Sequence, residues 1–224
     1  MKSNTFLNMT LKQFTCLVMM VLLLQGCADK PSYSNKYYGV QITNKPPTGS
    51  IYTDSAKKEF AYRSINVYIT NDSIIPVTLQ IAFTNTYIEL TPSTENKYKV
   101  FLLPDSMTAE KQYDFTVDNG HVSKGLEVFL KRELYSSAML KKVIAPHETY
   151  LLKLGFLFNN RGGLTQAQLF SKGHRCSLAI PEKEVSLKDG NSKGIDLMLG
   201  VTLNSGTTYM GYSTISCGQL FYGN

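Results

Sequence analysis

The residues best equipped for covalent chemistry in this sequence are its four cysteines, because a thiolate is both a strong nucleophile and a good metal ligand. Cys27 has the most informative surroundings. It follows directly after Leu24, Gln25 and Gly26, and a predominantly apolar segment, residues 14–24, precedes them. What the Cys27 thiol can do therefore depends on the role of that segment.

Residues 1–26 have the three parts of a secretory signal peptide. Lys2 and Lys12 supply the basic start, residues 14–24 form the apolar centre, and Gly26 is the small residue expected before a cleavage site. The apolar centre is too short to span a bilayer, since a transmembrane helix needs about 20 residues. The pattern therefore predicts a cleaved signal rather than a membrane span.

The segment Leu24-Gln25-Gly26-Cys27 resembles the lipobox of bacterial lipoproteins, Leu-x-Gly/Ala-Cys. In that family the cysteine thiol receives a diacylglyceryl group, the signal is cut before the cysteine, and the new amino group is acylated. The resemblance implies that Cys27 carries the lipid and begins the mature chain. Two or more acyl chains on one residue give firm anchoring. The alternatives are an ordinary secretion signal with a chance cysteine after it, or a buried core helix.

The residue after Cys27 bears on the destination of a lipoprotein. In that family an Asp directly after the lipidated cysteine retains the protein in the inner membrane, and here Ala28 occupies that position. The resemblance therefore implies an outer-membrane location. Residues 28–31 contain one acid and one base instead of the acidic run that accompanies export to the surface. This favours the periplasmic side and leaves surface exposure open.

Cys176 and Cys217 are the remaining pair, because Cys16 leaves with the signal and Cys27 takes the lipid. In an oxidising compartment outside the cytoplasm, such a pair predicts a disulfide. The alternative is two buried free thiols, since spacing in the sequence does not reveal whether the geometry permits a bridge.

One motif suggests nucleophilic catalysis. Gly190, Ser192 and Gly194 match G-x-S-x-G, the nucleophile elbow of α/β-hydrolases. That elbow needs a strand before the serine, a helix after it, and a histidine later in the chain. A predicted strand follows Ser192, and the last histidine is His174. We interpret the motif as a polar turn and predict no catalytic residue.

The sequence also predicts no metal or cofactor site. A zinc site needs three or four converging ligands. Asp189, Asn191 and Asp196 lie near two glycines but lack the order of a calcium-binding EF-hand loop. The three histidines lie on separate predicted loops, at His121, His147 and His174.

The charge of the chain argues against nucleic acid as a partner. The formal net charge is +6, and the basic residues are scattered rather than gathered in one stripe. Two small basic pairs, Lys131-Arg132 and Lys141-Lys142, are interpreted as solvated positions, with contact to anionic headgroups or glycan as the alternative. The absence of Trp removes the stronger platform for stacking sugars.

Alternation of apolar and polar residues predicts strands through most of the chain beyond residue 59. Ile65, Val67 and Ile69 alternate with polar or half-polar neighbours, which is the period of a strand with one buried face. Residues 150–158 are apolar almost throughout, which predicts a central strand covered on both faces. The predicted strands are residues 62–70, 77–83, 98–103, 113–117, 140–144, 150–158, 176–180, 196–203 and 212–221.

One helix is predicted over residues 122–136, where Leu126, Phe129 and Leu130 recur at helical spacing. Short strands separated by turns favour a mainly β fold, an immunoglobulin-like antiparallel β-sandwich with one short α-helix insertion. The body of the chain is also similar to immunoglobulin-like lipoproteins of Bacteroidetes-type bacteria, through strand patterns such as Asn-Asp-Ser-x-x-Pro-Val at residues 71–77.

These patterns divide the chain into three parts. Residues 1–26 are the predicted lipoprotein signal peptide. Residues 27–58 are rich in Ser, Asn, Lys, Pro and Tyr, and are predicted to form a flexible linker tethered by lipid, with an added strand near Tyr38–Ile42 as the alternative for part of it. Residues 59–224 are the predicted β-sandwich domain.

The expected function is that of a lipid-anchored, non-enzymatic binding or structural module of the cell envelope. Its expected partners are the membrane, through the N-terminal lipid, and another envelope protein or a glycan; the oligomeric state is open. One alternative is an accessory subunit of a surface assembly, which a free sheet edge would favour. Another is a hydrolase with two carboxylates about 5–9.5 Å apart. The candidate acids are Glu89, Glu95, Glu127 and Glu133.

Overall fold

The fold is given by a computed structural model, and the residues it describes all belong to one compact unit, Ser32–Asn224. The predicted signal peptide, residues 1–26, and the predicted lipid site, Cys27, lie outside the described residues. Among the described residues, no helix is both long enough and apolar enough to cross a bilayer. The described residues are 33–37, 39–92, 95–104, 117–118, 120–159, 164–174, 176–178, 194–205 and 208–223.

The described residues form fourteen strands and one helix, α1 (Lys124–Glu133). The strands in chain order are β1 (Tyr33–Tyr37), β2 (Val40–Asn44), β3 (Thr48–Thr53), β4 (Glu59–Asn71), β5 (Val77–Phe83), β6 (Ile88–Glu89), β7 (Lys97–Leu102), β8 (Val117–Asp118), β9 (His121–Val122), β10 (Ala138–Ile144), β11 (Thr149–Phe158), β12 (Leu164–Ser171), β13 (Gly194–Ser205) and β14 (Thr208–Tyr222).

The strands build two packed sheets, so the predicted mainly β sandwich with one short helix is confirmed. Within the described residues, the first sheet has nine strands in the order β6-β7-β11-β4-β3-β9-β8, and β2 joins β1 to the far half of β4. The second sheet has the order β10-β5-β14-β13-β12. Neighbouring strands are antiparallel except for β3 and β9, which are parallel.

The main core lies between the two sheets. Alternate residues of β4 and β5, such as Val67 and Leu79, are fully buried there together with Leu154 and Leu199 from β11 and β13. Burying an aliphatic side chain of this size contributes about 1.5–3 kcal/mol. The alternation of apolar and polar residues therefore gives each strand one apolar face, and the two sheets pack against each other through these faces.

Helix α1 covers the other face of the first sheet. Leu126, Phe129 and Leu130 are buried in a second apolar cluster that includes Leu157 of β11 and Phe101 of β7. Because β11 faces the sandwich core on one side and this cluster on the other, the prediction of a central strand covered on both faces is confirmed. The helix begins after Ser123, whose hydroxyl accepts a hydrogen bond from the Leu126 N–H.

A buried lysine closes the other end of the helix. The Lys99 side chain, in β7, has no accessible surface, and its ammonium donates to the Leu134 carbonyl at the C-terminal end of α1. The ammonium also lies 5.7 Å from the centre of the Phe101 ring. A cation at a helix C-terminus is favourable because the last carbonyls lack partners within the helix. Burial lowers the pKa of Lys99, and Glu133 opposes that shift.

The predicted linker is wrong in extent, because residues 33–53 supply three strands of the first sheet. Val40 and Ile42 of β2 are buried in the core, and Tyr52 of β3 is buried in the cluster beneath α1. The long strand β4 explains this arrangement: its first half pairs with β3 and its second half with β2. The mostly polar composition of the segment led to the linker prediction, but a few apolar side chains are enough to order it.

Asn44 joins the two sheets at one margin of the sandwich. Its side-chain amide donates to the Leu169 carbonyl at 2.9 Å, and its side-chain oxygen accepts from the Leu169 N–H at 2.8 Å. Leu169 lies on β12, the last strand of the second sheet. The Asn44 side chain therefore satisfies a backbone donor and acceptor that would otherwise be left at a sheet edge.

Candidate functional site

A shallow groove of about 480 Å³ crosses the outer face of the second sheet, over strands β10, β5, β14 and β13. Leu79, Ile81 and Phe83 of β5 are buried in the core, so Gln80 and Ala82, which alternate with them, face outward and line the groove. Gly218 of β14 also lines the groove, beside β5. A Cβ on Gly218 would lie 2.0 Å from the Gln80 carbonyl oxygen, so only glycine permits this approach of the strands.

An irregularity in β14 shapes the same floor. Leu197 pairs with Gly218 and Met198 pairs with Ser216, which leaves Cys217 as an extra residue in β14. Such a bulge bends a strand and breaks the strict alternation of its side chains. The bulge and Gly218 therefore lie side by side in the strand that forms the floor of the groove.

The polar groups of the groove carry both charges. On β13 and β14, the Gln219 amide donates to the Asp196 carboxylate at 2.6 Å. Lys172 lies 3.9 Å from the other carboxylate oxygen of Asp196. On the opposite wall, Lys141 of β10 is exposed. The groove thus offers an amide, a carboxylate and an ammonium to a partner.

Strand β10 forms one wall of the groove and one edge of the second sheet. It pairs with β5 along its whole length, and no other described strand pairs with it. Met139 and Val143 of β10 are 81% and 55% exposed, on the same face as Lys141. Exposed apolar side chains on a free edge are a recurring feature of surfaces that bind other proteins.

The basic pairs noted in the sequence have different surroundings. Lys131 forms an ion pair with Glu127 of the same helix at 2.6 Å, and Arg132 pairs with Glu133 at 2.8 Å. The solvated helix face predicted for this pair is thus accompanied by local ion pairing.

In the other pair, the two lysines point to opposite faces of β10. Lys142 lies over the Tyr150 ring at 5.4 Å, whereas Lys141 faces the groove.

A second, smaller cavity of about 290 Å³ lies between the β3–β4 turn and the flank of α1. Asp54, His121 and Glu127 line it, together with Lys131. The Asp54 carboxylate accepts a hydrogen bond from the Lys58 N–H at 2.9 Å, which closes the turn. Of the four acids proposed from the sequence, Glu127 is the one that this cavity contains.

Two of the other proposed acids form ion pairs elsewhere, and the contact described for the third is to its backbone. Glu89 on β6 pairs with Lys97 of β7 across the strands at 2.7 Å, and Glu133 pairs with Arg132. The Glu95 carbonyl oxygen accepts a hydrogen bond from Asn159.

The three histidines lie on separate elements. His121 is in β9, and His147 occupies a turn with a φ of 61°. His174 Nδ1 lies 2.9 Å from the Ser171 hydroxyl. Within the described part of the chain, no group of three or more His, Cys, Asp or Glu residues is arranged to hold a metal ion.

The predicted disulfide between Cys176 and Cys217 is absent from the structure, where both residues are free thiols. Cys217 faces the core between the sheets. Cys176 lies 3.4 Å from the side-chain oxygen of Gln168, whose neighbours on β12, Ala167 and Leu169, face the core. Gln168 and Cys176 are therefore on the opposite face of the second sheet from Cys217.

Strand β13 also separates the two thiols, since it lies between β12 and β14. Strands two places apart are about 10 Å from each other, whereas a disulfide needs Cα atoms within about 7 Å. Burial raises the pKa of the Cys176 thiol to about 11 and that of Cys217 to about 12.

Several positions weighed from the sequence lie outside the described residues. They include the lipid site and most of the G-x-S-x-G motif with its neighbouring acid and amide: Cys27, Asp189, Gly190, Asn191 and Ser192. The groove was not predicted. The sequence signal for it was Gly218 beside a strand-type alternation that fails at Cys217.

No protein-family model matches the chain, and no curated protein matches it significantly.

Proposed function

We propose that this protein is a lipid-anchored binding module of the bacterial cell envelope, and that the outer face of the second sheet holds its partner. The lipid on Cys27 keeps the domain at the membrane, facing the periplasm from the outer membrane. The domain acts by binding rather than by catalysis. Its partner is another component of the envelope, a protein or a glycan.

The anchor rests on the sequence Leu24-Gln25-Gly26-Cys27 after a short apolar segment. The first described strand begins at Tyr33, so only a few residues separate the lipid from the first sheet. A short connection holds a binding domain close to the membrane surface, where a partner in the same membrane is at high effective concentration.

The binding role rests on one observation above the others, the groove beside the free edge strand β10. Met139 and Lys141 belong to both features, so a single partner would contact them together. Polar groups of both charges within an apolar surround give orientation as well as affinity.

Site-specific photocrosslinking in growing cells tests this role. A photoreactive amino acid replaces Met139 in the full-length protein, and a matched variant carries it at Val128, which is 62% exposed on α1, on the other side of the sandwich. We expect a discrete adduct from position 139 and none from position 128. Adducts from position 128 alone, or from neither position, would contradict the proposed binding face.

The cavity that contains Asp54 and Glu127 keeps the hydrolase as the second candidate, because two carboxylates there face one space. The variants Asp54→Asn and Glu127→Gln separate the two functions. A binding module retains its cellular role and its adduct at position 139 in both variants, whereas a hydrolase using these acids loses its role in both.

A further inference from the structure

The free edge of β10 has the backbone groups needed to bind an added strand. In an antiparallel pair, the N–H and C=O groups of every second residue point away from the partner strand. Strand β10 pairs with β5 from Ala138 to Ile144, and no other described strand pairs with it. At the end of the strand, the Ile144 carbonyl accepts a hydrogen bond from the Asn71 side chain at 3.1 Å. An extended segment of another chain can therefore continue the second sheet by main-chain hydrogen bonds.

The charges on β10 argue against a second copy of this chain as that segment. An antiparallel pairing of β10 with itself over Ala138–Ile144 places Lys141 opposite Lys141 of the other copy. Like charges placed directly opposite each other destabilise a strand pair. Lysines on an edge strand are a common means of preventing such self-pairing.

The same charges favour an acidic partner. On the outer face of β10 the side chains read Met139, Lys141, Val143, an apolar, a basic and an apolar position. No described acid forms an ion pair with Lys141. A strand that places an acid opposite Lys141 and apolar residues on either side complements all three positions.

We infer that the edge of β10 binds an extended segment of a protein partner whose outward side chains read apolar, acidic, apolar. This inference rests on the proposed binding function and names the class of partner. The segment adds a sixth strand to the second sheet. Lys141 selects it by charge, and Met139 and Val143 contact its apolar side chains.

Peptide binding to the purified full-length protein in detergent tests the inference. The probe is a fluorescent, end-capped seven-residue peptide in which threonine alternates with valine, glutamate and valine. A matched peptide has lysine in place of glutamate. A third peptide has the acidic sequence with methylated backbone nitrogens, which removes the donors needed for strand pairing without any change to the protein.

We expect the acidic peptide to bind about tenfold more tightly than the lysine peptide at low salt, and this ratio to shrink as salt screens the charges. The variant Lys141→Glu should reverse the preference, and backbone methylation should abolish binding. Because Lys141 is exposed, the charge reversal leaves the core intact.

Three results would overturn the inference. The first is equal binding of the acidic and lysine peptides, or none, at peptide concentrations up to about 1 mM. The second is unchanged binding of the acidic peptide after backbone methylation. The third is self-association of the protein through β10. If position 139 crosslinks in cells while the peptides show no charge preference, the proposed binding face is supported and the inference of an acidic partner strand is wrong. If position 139 gives no adduct, the proposed function itself fails.

Discussion

Replacing Asn44 by alanine tests whether residues before position 59 are part of the cooperative fold. The Asn44 side chain makes two hydrogen bonds to the backbone of Leu169, at 2.9 and 2.8 Å, and it is buried. Alanine leaves the Leu169 N–H and C=O without these partners. Each unsatisfied buried backbone group costs about 1–3 kcal/mol, so for two groups we expect Asn44→Ala to lower the free energy of unfolding by about 2–6 kcal/mol.

Urea unfolding of the compact unit Ser32–Asn224 measures this loss. With a urea dependence of about 2–3 kcal/mol per molar for a domain of this size, the midpoint should fall by about 0.7–3 M. The control is Thr84→Ala, which removes an exposed 2.8 Å contact between the hydroxyls of Thr84 and Thr86. We expect that control to change stability by less than about 0.5 kcal/mol. If Asn44→Ala unfolds like the control, the link between the sheets contributes nothing to stability and the segment before residue 59 is not held by it.

Two further predictions concern the floor of the groove. Gly218→Ala should destabilise the protein by about 2–3 kcal/mol, because the new Cβ would lie 2.0 Å from the Gln80 backbone oxygen and no side-chain motion relieves the contact. The loss is measured as a lower urea midpoint, and an unchanged midpoint would contradict this prediction. The free energy of unfolding should also fall as pH rises above 9, because the Cys217 thiol ordinarily ionises near 9.0 in the unfolded chain, whereas burial raises its native pKa to about 12. In Cys217→Ala, the free energy of unfolding should decrease less steeply between pH 9 and the ordinary tyrosine pKa of 10.0. The same pH dependence in the two proteins would contradict this prediction.

Strands with one clean apolar face were predictable from the sequence. The predicted span 77–83 matches β5, and the predicted spans 140–144 and 150–158 fall within β10 and β11. The helix predicted over 122–136 is present as Lys124–Glu133. In β5, β10 and the helix, the period of the buried side chains is also the period of the backbone. Residues 150–158 were instead predicted from their continuous apolar run.

The strand β12 was missed because its buried positions do not alternate with exposed ones. Gln168 and Phe170 are buried on one face, and Ala167 and Leu169 on the other. A glutamine in a buried position removes the apolar signal on which a strand prediction depends. The opposite error occurred nearby, since Cys176 to Leu178 form a bend and not the predicted strand.

The candidate site was less predictable than the fold. The faces occupied by Cys176 and Cys217 depend on strand order and on the bulge in β14, and neither can be read from the distance between two residues in the sequence. The groove likewise is lined by Gly218 and Gln80, which are far apart along the chain. Lys141 was recognised as one of a basic pair, but its isolation on a free edge emerged from the sheet topology.

Labelling cells with radioactive palmitate and isolating the protein tests whether a lipid on Cys27 holds this domain at a membrane. We expect label in the wild-type protein, recovered in the membrane fraction without its first 26 residues, and no label in Cys27→Ser. A wild-type protein that takes up no palmitate and is recovered as a soluble chain would contradict it.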